Sequence, residues 1–225
     1  MLHENVTLII QNIDQLATLR SHIFGPRCGK EQSELGIIHN SAVAISGGLI
    51  RMAGKQKDLY QQVKRDVKTK IIDAGGKLVT PGLVDSHTHL VFAGDRFPEF
   101  EQRIKGKNYQ QIAKAGGGIE SSVRSLRQAS EKELFDSSWK KLDRMLEFGT
   151  TTVEIKSGYG LSLRDEIKTL KVVRELRRKY PRASVVATFM GAHAFPREYK
   201  SSRKKYIDLI TNKMIPEIAG QGLAE

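Results

Sequence analysis

The chain has 225 residues, 39% of them hydrophobic, which is enough to build one large core or two small ones. Its net charge of +12 would favour binding of a polyanion such as nucleic acid, but the sequence has no combination of aromatic and basic residues that could bind single-stranded nucleic acid. On one predicted helix the cations instead recur opposite the apolar stripe, the usual pattern of a solvated face. This face comprises Lys168, Lys171, Arg174 and Arg178. We therefore predict no nucleic-acid partner, and no membrane partner because no apolar run reaches about 18 residues.

The N-terminus and the cysteine content both predict a cytoplasmic protein. The start, MLHENVTLIIQNIDQ, lacks the basic segment, the long apolar block and the small-residue cleavage site of a secretory signal. Cys28 is the only cysteine, so no internal disulfide can form, which suits a reducing compartment.

Residues 1–77 predict a small β-sandwich-like module with a structural role. Apolar runs flank Gly47-Gly48, a dipeptide typical of a hairpin turn. The predicted elements are strands over 5–10, 42–45, 49–53 and 71–74, a loop over 20–36 and one helix near 55–66.

From residue 78 the pattern changes to alternating strands and helices. Ser130 with Glu133, and Ser162 with Asp165, are typical of helix N-termini. The predicted order is a strand over 82–90, a long connection containing the glycine-rich stretch 115–119, a helix over 130–149, a strand over 151–156, a helix from 162 to just before Pro181, a strand over 184–190 and a helix from 201 towards Pro216. Such alternation predicts a parallel sheet covered by helices.

His87 and His89 are the first candidates for a functional site. Side chains two residues apart leave a strand on the same face, so one strand end can aim both imidazoles at a single point. Imidazole nitrogen is a preferred ligand of zinc and similar metals. A lone His-x-His pair is weak evidence of a metal site, but here the pair ends an apolar strand. Asp85 lies on the same face of that strand, where its carboxylate can interact with metal-bound imidazoles.

The run PGLVDSHTH, residues 81–89, resembles the metal-binding signature of the amidohydrolase superfamily. The resemblance implies a metal-dependent (β/α)8 barrel, but only three strand–helix units follow, whereas a closed barrel has eight and about 250 residues. We therefore expect an α/β chain that holds the N-terminal portion of such a barrel: the β module over 1–77, then the first three β/α units over 78–225.

Functional side chains of such barrels gather at the carboxyl ends of the strands, and three segments meet that rule. They contain Arg96, Tyr159 and His193. From the residues alone each has an alternative: a solvated loop arginine, a packed loop tyrosine and a packed core histidine. Lys156 could bridge two metals if it were carboxylated, which nothing in the sequence requires. The glycine triplet 116–118 lacks the Lys-Ser or Lys-Thr of a phosphate loop, so it predicts positive φ in a tight connection.

HTHLVFAGDRFPEF, YQQIAKAGGGI, EIKSGYGL and MGAH, in this order, narrow the resemblance to the imidazolonepropionase family of histidine degradation. It implies hydrolysis of the small molecule 4-imidazolone-5-propanoate to N-formimidoyl-L-glutamate, with zinc or iron held by His87 and His89. Arg96, Tyr159 and His193 would contact the substrate, His193 also as a catalytic residue. A homodimer is compatible with the resemblance for a full-length chain.

The same resemblance implies a third histidine ligand, an aspartate ligand and a proton-transfer glutamate on later strands. None can be placed in these 225 residues, so we expect this chain alone to be inactive. Two alternatives remain open. The chain could belong to another amidohydrolase, a cyclic-amide hydrolase or a deaminase, or it could be a non-catalytic remnant that binds a partner through an exposed barrel edge.

Overall fold

Two units divide the chain, Met1–Pro81 and Gly82–Glu225, a few residues later than the expected boundary at 77. The computed structural model describes residues 5–20 and 25–225, so positions 21–24 of the predicted loop lie outside the described residues. None of the helices in these described ranges is long and apolar enough to cross a membrane.

The first unit is built around a long strand, β1 (Leu8–Ala17), rather than the short strand predicted over 5–10. The pairing of β1 continues past a bulge at Ile10–Ile13, where Asn12 adopts a φ of 54°. The bulge interrupts the alternation that would have shown the full strand in the sequence. The other elements are β2 (Ile37–Ser46), β3 (Leu49–Lys55), α1 (Gln56–Gln62), β4 (Lys70–Asp73) and β5 (Leu78–Val79).

These strands form one five-stranded sheet in the order β3-β2-β1-β4, with β5 also pairing β1. The predicted hairpin is confirmed: β2 and β3 are antiparallel, and Gly47 and Gly48 have the positive φ of 60° and 75° that a tight turn requires. Leu59 of α1 is fully buried against the sheet. Among the described residues of this first unit there is no second sheet to complete a sandwich. A short 3-10 helix, Gly29–Ser33, interrupts the predicted loop.

The second unit contains a parallel three-stranded sheet in the order β6-β7-β8. Its strands are β6 (Leu83–Thr88), β7 (Thr150–Lys156) and β8 (Ser184–Thr188). The inward-facing Val153 and Ile155 of β7 are completely buried beneath the helices. The predicted alternation of strands and helices is therefore present, and the chain is a mixed α/β protein.

Three helices occupy the predicted long connection: α2 (Phe97–Ile104), α3 (Tyr109–Lys114) and α4 (Ile119–Gln128). The sequence did not predict them because they are short and are separated by glycines. Gly116 and Gly118 have φ of 88° and 71°, which confirms the expected role of the glycine triplet.

The helices that cover the sheet begin where their caps predict. α5 (Glu131–Glu147) starts at the complete Ser130–Glu133 capping box, and in α6 (Leu163–Lys179) the Ser162 hydroxyl accepts from the Asp165 backbone N–H. The final predicted helix runs towards Pro216 as expected, continues past it and ends in a turn at 221–222. α7 (Arg203–Leu209) continues through a π-helical turn into α8 (Ile215–Gly220), and this wider turn accommodates Pro216 without ending the helix.

The predicted solvated face of α6 is wrong at Lys168. Its side chain is only 13% exposed, and its ammonium group donates to the carbonyls of Leu126, Arg127 and Ala129 at 2.8–3.1 Å. Lys168 thus satisfies the free carbonyls at the C-terminus of α4. Helical spacing alone could not show that another helix end lies against this residue.

Candidate metal and substrate site

The carboxyl ends of the three parallel strands bring the predicted site residues together. His89 follows β6, the segment Ser157–Leu161 follows β7, and the short helix Gly191–His193 follows β8. Strands that run in parallel end at the same edge of a sheet, so these three segments lie side by side.

The His89 imidazole is the centre of an aromatic cluster. Its ring centroid lies 4.5 Å from that of His193, with only 11° between the planes, and 4.8 Å from that of Tyr159. The His87 ring is 5.9 Å from it at an angle of 65°. The structure therefore gathers four of the five predicted side chains around one point.

His87 near the end of β6 and His89 just after it are suited to bind a metal ion. His89 Nδ1 is buried and has no hydrogen-bond partner among the described residues. Burial, reinforced by the charges of His193 and His87, lowers the pKa of His89 to about 4, so the ring is neutral, as a metal ligand must be. No set of three candidate metal ligands occurs in the described ranges.

Asp85 contacts the backbone rather than an imidazole ring. Its Oδ1 accepts from the His87 backbone N–H at 3.2 Å. This contact fixes the chain just before the first histidine, while the expected support of a ring stays a prediction.

Arg96 is held by a residue that the sequence analysis did not single out. Its Nε and Nη2 both donate to Glu99 Oε2, and Glu99 Oε1 accepts from the Gly118 backbone N–H at 2.8 Å. The pairing with Arg96 keeps the pKa of the buried Glu99 below its usual value. Glu99 thus ties the arginine to the glycine turn, and a Glu three residues after an Arg was the only signal of it.

A cavity of about 530 Å³ connects Arg96, Tyr159 and His89. Its lining also includes Phe92, together with Ser121 and Ser125 of α4 and Ser137 and Lys141 of α5. The opening is large enough for a small heterocycle with a short acidic tail.

The tight turn after β7 requires glycine at position 158. Gly158 has a φ of 111°, and a Cβ there would lie 2.7 Å from the Met190 carbonyl oxygen and 2.8 Å from His193 Cβ. The Gly158 carbonyl lies 3.1 Å from His193 Nδ1. The close approach therefore orients the histidine ring.

Lys156 is engaged in an ion pair within its own strand. Its Nζ pairs with Glu154 Oε1, which the Thr188 hydroxyl also contacts. The lysine is therefore an ammonium partner of Glu154, and the bridging, carboxylated lysine that the sequence left open gains no support.

Comparisons with known proteins agree with this geometry. A family profile described as "Amidohydrolase family" matches residues 70–125. The chain is 46% identical over 216 residues to an imidazolonepropionase of Brevibacillus brevis, which covers 96% of this chain. It is 45% identical over 220 residues to one from Symbiobacterium thermophilum, which covers 97% of it. The chain spans 51% of the length of each of these curated relatives.

Among solved structures, the fold resembles a 5-methylcytosine deaminase from Klebsiella pneumoniae liganded with 5-fluorocytosine. The TM-score is 0.53 at 17% sequence identity, and the match covers 93% of this chain and 41% of the deaminase. At this identity the likeness concerns the fold alone.

Proposed function

We propose that this chain, a homologue of the imidazolonepropionases over 96% of its length, is the front part of an enzyme that hydrolyses 4-imidazolone-5-propanoate to N-formimidoyl-L-glutamate. In this proposal residues 78–225 supply the first three β/α units of a (β/α)8 barrel. The whole protein would act as a cytoplasmic enzyme on this small molecule, and as a homodimer.

The observation that carries the proposal is the convergence of His87, His89, Tyr159 and His193 at one edge of a parallel sheet. Three separate sequence motifs contain these residues, and they come from three different strand ends. Structural histidines would have no reason to collect with one unpaired buried nitrogen beside an open cavity.

His87 and His89 would hold a zinc or iron ion together with ligands outside this chain. When bound, such an ion lowers the pKa of a water molecule and polarises a carbonyl. The protein's part is to present the two imidazoles at one strand end, and the burial of His89 keeps that ring neutral.

Arg96 is assigned to the substrate propionate. Glu99 occupies the Nε side of its guanidinium, which leaves the edge between Nη1 and Nη2 for a second carboxylate. The anchored fork would fix the substrate at one end, so that its ring reaches Tyr159 and His89 in the same cavity.

His193 is assigned to proton handling at the substrate ring. Because its Nδ1 is directed at the Gly158 carbonyl, Nδ1 carries the proton and Nε2 is left as the acceptor. Nε2 can take a proton from the attacking water and pass it to the ring nitrogen as the C–N bond opens, while the hydroxyl left from the water bonds to the carbonyl carbon. The Tyr159 hydroxyl can donate to the ring, since burial raises the pKa of Tyr159 and keeps it protonated.

The test is an assay of the purified full-length protein, with its metal content measured. We expect hydrolysis of 4-imidazolone-5-propanoate and about one metal ion per chain, both lost in His89→Ala and kept in His39→Ala, since His39 is exposed on β2. The 225-residue chain alone should be inactive. A metal-loaded full-length protein that deaminates a heterocycle or opens a different cyclic amide, and not this substrate, would refute the proposal.

A further inference from the structure

Glu166 is a buried carboxylate on α6 that the proposed reaction does not use. Its oxygens accept from the Gly158 backbone N–H at 3.1 Å and the Leu161 backbone N–H at 2.8 Å. The Ser157 hydroxyl and the Gly160 backbone N–H also favour its charged form and act to lower its pKa. Every donor in this set belongs to the Tyr159-bearing segment Ser157–Leu161.

Arg127 on α4 binds the backbone carbonyl groups of the same segment. Its Nε donates to the Gly160 carbonyl at 2.8 Å and its Nη2 to the Leu161 carbonyl at 3.1 Å. Glu198 pairs with the guanidinium at 2.7 Å and holds it in this orientation. One anion therefore binds the N–H groups of the segment, and one cation binds its C=O groups.

The segment Ser157–Leu161 positions His193 as well as Tyr159. The Gly158 carbonyl orients His193, and the Ser157 hydroxyl accepts from the Met190 backbone N–H at 2.9 Å just before that histidine's helix. A shift of Ser157–Leu161 would consequently move two of the proposed substrate contacts at once.

A carboxylate is a costly choice at position 166 if only stability matters. Glu166 is 0% exposed, and burial raises its pKa, against the opposing effect of its hydrogen bonds. A buried ionisable group costs free energy that an apolar side chain at the same place would avoid. Both of its oxygens accept backbone N–H groups that would otherwise point into the interior, so the carboxylate serves to fix the turn.

We propose that Glu166 and Arg127 are positioning residues that hold Ser157–Leu161 so that Tyr159 and His193 face the substrate. The proposal deepens the proposed function and, in its kinetic part, rests on it. The loop geometry itself can be measured without any activity.

The experiment uses the full-length, metal-loaded protein and two variants with matched controls. Glu166→Gln is compared with Glu175→Gln, which lies on the same helix and pairs with Arg178 at the surface. Arg127→Met is compared with Arg124→Met, one turn earlier on α4, where the only described side-chain bond is to the Gly116 carbonyl. Arg127→Lys keeps the positive charge but lacks the two guanidinium donors that bind the Gly160 and Leu161 carbonyls.

Each protein is examined for amide exchange of residues 157–161, thermal midpoint, kcat and KM. We expect exchange at Gly158 and Leu161 to accelerate at least roughly tenfold in Glu166→Gln and Arg127→Met, with kcat/KM falling roughly tenfold to a hundredfold. KM should rise as well as kcat fall, because Tyr159 and His193 both move. Arg127→Lys should recover part of the loss, and the controls should match the wild type.

Unchanged exchange in the loop, or a loss confined to thermal midpoint with wild-type KM and kcat in the folded fraction, would overturn the proposal. Should Glu166→Gln not fold, the Arg127 variants decide the question by the same measurements, since the Arg127 side chain is 28% exposed. If the wild type does not hydrolyse imidazolonepropanoate, the proposed function fails, while loop exchange still decides whether the two residues hold the turn.

Discussion

Lys141 is the most strongly perturbed cation of the described residues. Its ammonium group lies 3.4 Å from the Phe92 ring centroid and within 3.3–3.4 Å of the Phe92 and Leu90 carbonyls. Burial lowers its pKa to about 8. The carbonyls and the ring replace only part of the hydration that the charge loses, so the protonated form is less stable in the folded protein than in the unfolded chain.

This shift predicts a pH dependence of stability. The unfolded lysine has a pKa of about 10.4, so between about pH 8 and 10.4 the unfolded state binds more protons, and stability contributed by this group rises with pH. The rise should disappear in Lys141→Met. Urea unfolding of both proteins across this range measures it as a difference, which cancels other titrating groups, and Lys140→Met is the control. Parallel curves for wild type and Lys141→Met would contradict the assigned burial.

Residue patterns predicted the candidate metal ligands and substrate contacts, but not the side chains that keep these residues in position. His87, His89, Tyr159 and His193 were accessible from spacing and resemblance, since each follows a strand end. Glu166 was not, although it occupies the apolar stripe of α6 between Leu163 and Leu170, where a charge is unusual. That anomaly shows that a partner exists, but only the fold identifies the partner as a turn from another segment.

At the scale of elements, α4 depends on a lysine from another helix. The last carbonyls of a helix need donors, and α4 ends at Gln128 without a glycine to turn the chain back on it. Lys168 supplies the donors and also pairs with Asp165 at 3.0 Å. The junction therefore joins the C-terminus of α4 to the first turns of α6.

Replacing Lys168 should therefore destabilise the second unit. Lys168→Met leaves three carbonyls without their donor and the largely buried Asp165 without its nearest cation, which we expect to cost about 2–4 kcal/mol of unfolding free energy. Denaturant unfolding provides the measurement. Lys171→Met, three residues later on the same helix, should change stability by less than about 0.5 kcal/mol. Equal effects of the two substitutions would show that the capping contacts contribute little.

Local signals predicted those elements that local chemistry determines. The Gly47-Gly48 hairpin and the Ser130 and Ser162 caps lie where the sequence placed them because turn and cap geometry depend on neighbouring residues alone. The boundaries of β1 were wrong, because a bulge is a response to strand pairing. The π-helical turn before Pro216 is likewise a response to packing and had no local signal. The short helices α2 to α4 gain their stability from tertiary contacts in the same way.

At the scale of the molecule, neither outer strand of the three-stranded sheet pairs with a further strand among the described residues. Both β6 and β8 pair only with β7, and the Glu225 backbone N–H bonds to the Ala187 carbonyl of β8. Leu83 and Val84 at the start of β6 are 55% and 68% exposed, far more than the inner strand's valine and isoleucine. Completion of the proposed barrel by further strands would pair these edges and cover the apolar side chains.

An unpaired, apolar parallel strand is a template for association, so the 225-residue chain expressed alone should self-associate. Sedimentation should show species above the 25.2 kDa monomer, and Val84→Lys should reduce them because a charge on an edge strand opposes pairing. Val67→Lys is the matched control, since Val67 is fully exposed but lies outside every strand. The full-length protein should form no assembly larger than the proposed homodimer. If Val84→Lys and Val67→Lys act alike, association proceeds through general hydrophobic contact, and the free edge of β6 is not its cause.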